Sequence, residues 1–305
     1  MLDDLHALPK IRDSVSSLYI DQGRVDREDA AIAVHDKTGK TPIPVASLAV
    51  LVLGPGTTIT HAAIRVLADN SCLVIWAGEE NVRFYAFGTG GTRSAAPLLH
   101  QARLASSDAS RLEVVKRMYR MRFSGEFDRN LTVEALRGME GVRVREAYAR
   151  WSKATNVPWS GRSYDRGNWP SADPVNRALS CANSCLYGIC HAAIVSTGFS
   201  PAIGFIHTGK QLSFVYDIAD LYKVDITIPL AFRAASQGMN DLERQVRLQC
   251  RDIFRERRLL QTIVPDIKRA LNVPDELLAD TFAPDADPAL PTHLWTPSDE
   301  DADQE

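Results

Sequence analysis

The sequence predicts an α+β protein in which an N-terminal β-sandwich-like domain precedes a larger, mostly α-helical domain. Three observations predict it. Up to about residue 88 the apolar residues fall in short runs divided by turn signals. From residue 95 they recur at spacings of three and four. The two regimes meet at Gly88-Thr89-Gly90-Gly91. The expected division is a β-rich domain over residues 1–88, a glycine linker at 89–94, a helical domain at 95–281 and an acidic, Pro-rich tail at 282–305. At 305 residues the chain can bury a core in each domain.

In the first domain the runs at residues 17–20, 31–34, 49–53 and 72–76 read as strands. Turn signals at Gln22-Gly23, Lys37-Thr38-Gly39 and Gly54-Pro55-Gly56 divide them. One helix interrupts them from Thr60 to about Asp69, with Ala63, Val66 and Leu67 on its inner face. These pieces are too short for a dinucleotide-binding unit, and Gly54-Pro55-Gly56 opens no phosphate fingerprint. The glycines at 88–91 lack the Lys-Ser/Thr ending of a P-loop and read as a linker.

Residues 97–123 predict one long helix with Leu104, Leu112, Val115 and Met118 inward. Its Arg111, Lys116, Arg117, Arg120 and Arg122 are placed outside, either as a solvated face or as phosphate contacts. The next helix begins near Thr132 and carries Glu140 between Gly138 and Gly141. Those glycines weaken a helix, which implies close backbone approach or packing at that turn. Residues 159–170 interleave Trp159, Tyr164 and Trp169 with arginines, which suits either stacking on unpaired bases or plugging of the helical core. Residues 176–198 form a nearly apolar helix containing Tyr187. Over residues 241–260, Arg244, Arg247, Arg251, Arg255 and Arg258 recur every three or four positions and line one helix face, a track for a DNA backbone.

Charge supports a polyanionic partner once it is divided by region. The net charge is −3, but residues 270–305 hold ten acidic residues and no Lys or Arg, leaving the body at +7. Leu290, Leu294 and Trp295 give the tail an apolar handle for a partner, although its composition cannot sustain a core. No uninterrupted apolar run approaches the ~20 residues that span a bilayer, and residues 1–13 lack a signal pattern, so a cytoplasmic location with no membrane association is expected. Five cysteines make no disulfide framework. Cys181, Cys185 and Cys190 beside His191 could form a zinc cluster, but they sit in an apolar helical pattern without a C-x-x-C pair and read as buried thiols.

The densest chemistry lies in residues 201–225, where His207, Lys210, Asp217, Asp220 and Lys223 stand among small and aromatic residues. With Ser213 as an N-cap, Asp217 and Asp220 project from one helix face, beside a stripe of Val215, Ile218 and Tyr222. Paired carboxylates repel unless a cation sits between them. With the upstream histidine they point to Mg²⁺ or Mn²⁺, or else to an Asp-decorated solvated turn with a loop histidine.

The segments G-F-I-H-T-G-K and L-S-F-V-Y-D-I-A-D resemble the signature of the CRISPR-associated spacer-acquisition integrase, subtype I-E branch. L-R-G-M-E-G-V-R-V-R around Glu140 and R-L-Q-C-R-D-I-F-R near Cys250 extend the resemblance, which runs from about residue 14 to 257. It implies a metal-dependent endonuclease and integrase that joins prespacer 3′-hydroxyls to CRISPR repeat DNA. It implies catalytic Glu140, His207, Asp217 and Asp220, of which Glu140, His207 and Asp220 hold Mg²⁺ or Mn²⁺. DNA contacts are implied at Arg83, Tyr164, Trp169, Tyr187, Lys210 and Tyr216, joined by Arg244, Arg247 and Arg251 from the spacing above. The implied partners are double-stranded prespacer DNA with single-stranded ends, a second copy in a homodimer, and a small ferredoxin-like adaptation protein in a heterohexamer. The tail is expected to order on that protein. Better-known relatives carry an aromatic wedge where this chain has Gln22, with Tyr19 three residues earlier. Two other readings of the residues remain: a metal-independent tyrosine recombinase using Tyr187 or Tyr216, and a non-catalytic DNA-bridging scaffold.

Overall fold

A computed structural model describes residues 16–29, 31–45, 48–70, 72–78, 84–88, 95–123, 131–162, 173–238 and 241–274. Arg83, Tyr164, Trp169, the glycine segment at 89–94 and the tail at 282–305 lie outside the described residues.

Eight strands form two four-stranded sheets. In the first, β1 (Ser16–Ile20), β5 (Leu48–Leu53), β7 (Leu73–Ala77) and β8 (Phe84–Gly88) lie side by side, the first three parallel and the last antiparallel. In the second the order is β4 (Gly39–Ile43), β3 (Ala31–Asp36), β2 (Arg24–Glu28) and β6 (Thr58–Ile59). Both sheets and α1 (His61–Asp69) enclose one core of Ile20, Val25, Ile32, Leu51, Leu67 and Val74. Thr60 caps α1 by accepting from the Ala63 amide, and Ala63, Val66 and Leu67 are buried as the spacing predicts. The helix supplies the crossover that the parallel strands β5 and β7 require.

The first sheet is buried on both faces, which is why β5 and β7 read as unbroken apolar runs. Val50, Val52, Leu73 and Ile75 face away from the sandwich and meet Ala192 and Val195 of α5 (Pro174–Ser196). This helix is the axis of the larger domain. Helices α6 (Ser213–Ala219), α7 (Thr227–Ser236), α8 (Leu242–Glu256) and α9 (Leu259–Leu271) all pack against it. Seventeen of its 23 residues are buried. By length and composition α5 could cross a membrane, which a search for uninterrupted runs overlooks, but here its apolar surface is covered by protein.

Three sequence expectations need correction. The helix expected over residues 97–123 is two helices, α2 (Ala96–Ser106) and α3 (Asp108–Arg122). Ser107 adopts an extended conformation between them and caps α3 through its hydroxyl. The helix expected to reach residue 260 is likewise divided, because Arg258 takes a left-handed conformation (φ 47°) between α8 and α9. Glycines 138 and 141 lie inside the continuous α4 (Val133–Thr155) without the expected close approach: a Cβ at Gly138 would meet nothing within 4 Å, and one at Gly141 only the Arg145 side chain.

Candidate active site

The segment between α5 and α6 is folded by one carboxylate. Asp217 is fully buried on α6, and its oxygens accept from the backbone amides of Phe205 (2.6 Å), Ile206 (3.1 Å) and His207 (2.8 Å). Its Oδ1 also lies 2.7 Å from His207 Nδ1. Gly204 permits this wrap, because a Cβ there would stand 2.2 Å from the His207 carbonyl oxygen and 2.7 Å from Ser213 Cβ. Ser213 is the first residue of α6, rather than its cap, and its hydroxyl instead closes the Lys210 turn.

The Asp217 contact fixes how His207 can act. With Nδ1 held by a buried carboxylate, Nδ1 carries the proton and Nε2 presents its lone pair outward. Nε2 faces Asp220 Oδ2 at 3.9 Å. Asp217 and Asp220 therefore do different work although they are three residues apart. Asp217 is consumed in holding the histidine, and Asp220, the C-cap of α6, looks into the site.

Arg122 connects Asp220 to Glu140. The last residue of α3 buries its guanidinium with the side chain only 2% exposed, placing Nη1 3.5 Å from Glu140 Oε1 and Nη2 3.7 Å from Asp220 Oδ2. Nη2 also donates to the Asp217 backbone carbonyl at 3.3 Å, and the guanidinium lies 5.1 Å from the Tyr119 ring centroid. Arg143, one turn along α4 from Glu140, touches Glu140 Oε2 at 3.5 Å and Asp225 at 3.7 Å. Lys223 Nζ stands 2.6 Å from Asp220 Oδ1 and 4.9 Å from the Tyr187 ring centroid. Burial opposes the charge on Asp220, yet Lys223 and Arg122 hold its carboxyl below the ordinary range. Burial likewise opposes the charge on Lys223, but Asp220 and Tyr187 outweigh it and raise its pKa.

The donors suit a hard divalent cation. His207 Nε2 and Asp220 Oδ2 face each other at 3.9 Å, a nitrogen and an oxygen donor of the kinds such an ion takes. Glu140 is held by the same guanidinium as Asp220. Among the described residues no three His, Cys, Asp or Glu side chains already form a ligand cage. Arginine and lysine charges hold the carboxylates in this arrangement.

Of the residues expected to touch DNA, three form one cluster that reaches His207 through Tyr216. Tyr216 meets His207 edge-on at 5.9 Å and Tyr187 at 5.0 Å between ring centroids, and Lys210 Nζ lies 6.0 Å from the Tyr216 centroid. Arg244, Arg247 and Arg251 are elsewhere. They border a groove of about 230 Å³ between the first sheet and helices α5 and α8. Arg247 lies 5.6 Å from the Tyr19 ring centroid, and Arg251 pairs with Asp252. Tyr19 itself packs so closely on Gly54 that a Cβ there would lie 2.2 Å from its hydroxyl. Trp159 stacks on Tyr148 (4.3 Å, 13°) and leans on Phe232, which gives it the core-plugging role. The cysteines Cys181 and Cys190 are buried and Cys185 half-buried, with no disulfide among them and no metal-ligand grouping among the described residues.

Sequence reasoning misses Arg122. The helical period puts it with Arg111 and Arg117 on the outer face of α3, but all three donate to protein carbonyls: those of Asp217, Phe205 and Ala270 respectively. The available signal is position, since Arg122 sits at the very end of an apolar helical period.

A profile of the family described as CRISPR associated protein Cas1 matches residues 18–126 and 119–250. The chain is 56% identical over 295 residues to the CRISPR-associated endonuclease Cas1 2 of Thermus thermophilus, covering 96% of this chain and 90% of that protein. It is 45% identical over 285 residues to the CRISPR-associated endonuclease Cas1 of Escherichia coli, covering 93% and 91%. Among solved structures, the crystal structure of a TtCas1-DNA complex aligns with a TM-score of 0.68 and 57% identity, over 88% of this chain and 100% of that one. A casposase bound to integration product shares the fold at a TM-score of 0.64 and 14% identity, over 87% and 94%.

Proposed function

The chain belongs to the CRISPR-associated Cas1 family, and from that premise we propose that it is a metal-dependent DNA endonuclease and integrase of CRISPR adaptation. It joins the 3′-hydroxyls of prespacer DNA to the CRISPR repeat by transesterification, a step in which one phosphodiester forms as another breaks. The observation that carries this reading is the convergence of Glu140, His207 and Asp220 from three separate segments on one charged cluster linked by Arg122, with Asp217 fixing the histidine.

Glu140, His207 Nε2 and Asp220 are the groups that would hold Mg²⁺ or Mn²⁺. When bound, such an ion supplies positive charge that polarises the attacking oxygen and offsets charge building on the phosphorane-like transition state. The chain's own residues do the positioning. Asp217 keeps the His207 proton on Nδ1, so that Nε2 stays a donor of electrons. Lys223 keeps Asp220 ionised despite burial. Tyr216, flanked by Lys210 and Tyr187, borders His207 where a strand end would lie, and the three offer one charge to phosphate and two rings to bases. Tyr19 is engaged by Gly54 and Arg247, so splitting of a duplex end would fall to other residues.

Double-stranded prespacer DNA with single-stranded ends and CRISPR repeat DNA are the substrates in this reading. A homodimer acting with a small ferredoxin-like partner, on which the acidic tail orders, is the assembly. The test is transfer of a labelled prespacer into a CRISPR plasmid, with and without divalent metal. Activity that persists in EDTA would favour a tyrosine nucleophile instead. Undiminished transfer by Asp220→Ala would reduce the protein to a DNA-bridging scaffold.

A further inference from the structure

Arg122 occupies a position that the metal reading leaves unexplained. A permanently charged guanidinium, almost wholly buried, stands between two of the carboxylates that would hold a cation. We propose that Arg122 is a positioning residue that keeps the empty site assembled: it compensates Glu140 and Asp220 until a divalent ion arrives, and then yields them. This inference rests on the functional reading above and adds to it how the site survives without its ion.

The geometry supports both halves. Glu140 comes from α4 and Asp220 from the end of α6; Arg143 faces only the first and Lys223 only the second, so neither offsets the repulsion between the two elements' carboxylates across the gap. Arg122 spans them, one terminal nitrogen toward each. The contacts are nevertheless long. Charge-assisted N–H···O⁻ bonds in tight pairs run to about 2.7–2.9 Å, whereas these are 3.5 and 3.7 Å. The guanidinium is anchored by groups other than the carboxylates, through the Asp217 carbonyl at 3.3 Å and the Tyr119 ring at 5.1 Å. Glu140 and Asp220 can therefore turn toward an ion without dislodging the arginine. Its Nε has no hydrogen-bond partner among the described residues, so the side chain is placed for its charge and not to complete a hydrogen-bond set.

A buried placeholder cation makes a linkage prediction. In the wild-type protein the empty site is already compensated, so metal adds little to stability. Without Arg122 only the single-carboxylate partners Lys223 and Arg143 remain, and metal then relieves more of the repulsion between Glu140 and Asp220. The experiment compares thermal unfolding in EDTA and in saturating Mn²⁺ for the wild type, Arg122→Lys and Arg122→Gln, with free Mn²⁺ counted by electron paramagnetic resonance to measure binding. A lysine brings one point charge that reaches a single carboxylate and cannot span two. The Mn²⁺-induced rise in Tm should therefore grow in the order wild type, Lys, Gln, with the Gln variant gaining roughly 4 °C or more over the wild type. The Gln variant should also bind Mn²⁺ about tenfold more tightly, since a neutral side chain no longer repels the ion. If Arg122→Gln fails to fold, Arg122→Lys decides alone: a rise equal to that of the wild type overturns the inference. If Mn²⁺ binds none of the three proteins, the metal reading falls and the inference with it. If Mn²⁺ binds and all three respond alike, only the role given to Arg122 is lost.

Discussion

Asp217 and His207 are joined twice, once through the histidine's backbone amide at 2.8 Å and once through its ring at 2.7 Å. One buried carboxylate thus sets both where the histidine backbone runs and which ring nitrogen faces the site. In Asp217→Asn the amide brings N–H groups toward backbone donors that require an acceptor. A loss of stability of about 2–3 kcal/mol is expected, with strand transfer reduced roughly 100-fold as His207 loses its orientation. Urea unfolding and the plasmid assay measure the two effects; unchanged values in both would show that Asp217 does not orient the histidine.

Glu140→Ala, His207→Ala and Asp220→Ala should each abolish strand transfer while duplex affinity stays within about threefold of the wild type, because none of these groups carries a charge that attracts phosphate. Filter binding beside the transfer assay separates the two. A parallel loss of binding would mean that the cluster organises the DNA surface and not the chemistry.

His191 provides a pH test independent of activity. Burial in α5 lowers its pKa from 6.5 to about 4. A histidine depressed in the folded state is neutral there while its unfolded counterpart takes up a proton. Its stabilisation is complete above pH 6.5 and is lost as pH falls toward 4. Between pH 7.5 and 5 the loss attributable to this residue is about 2 kcal/mol. Urea midpoints at the two pH values should converge in His191→Leu relative to the wild type; an equal separation in both proteins would place the acid sensitivity elsewhere.

The arginine row on α8 can be tested by salt. If Arg244 and Arg251, both exposed, each neutralise one phosphate, reversing either charge should reduce the slope of log K against log salt by roughly one. Arg247→Glu should also lower stability, because its guanidinium lies over Tyr19 of β1. A slope that ignores Arg244 and Arg251 would leave that face merely solvated.

The sequence discloses most where local rules act alone. Helix α1 is legible in full, since Thr60 caps it and its buried residues follow the helical period. Strands β2 and β4 are not, because R-V-D-R-E and G-K-T-P-I carry charge and proline on exposed positions and lack an apolar run. The break at Ser107 is hidden because apolar periodicity continues on both sides of it. Glu140 joins His207 and Asp220 only through family resemblance, since no spacing rule links side chains so far apart along the chain. Arg122 is lost for a related reason: an arginine reads as surface charge until the carboxylates that bury it, contributed by distant segments, are placed beside it.

The central position of α5 has a consequence for how the chain is made. A 23-residue apolar segment leaves the ribosome before α6 to α9, the four helices that cover it, have been synthesised. For that interval its surface lacks the helices that will cover it, and it presents to chaperones and neighbouring polypeptides the features of a segment destined for lipid. The last of the four to be completed, α9, is thus also a closing cover. A polypeptide ending before it would leave part of the axis bare, and the defect would appear as aggregation during expression, well before any loss of catalysis could be measured.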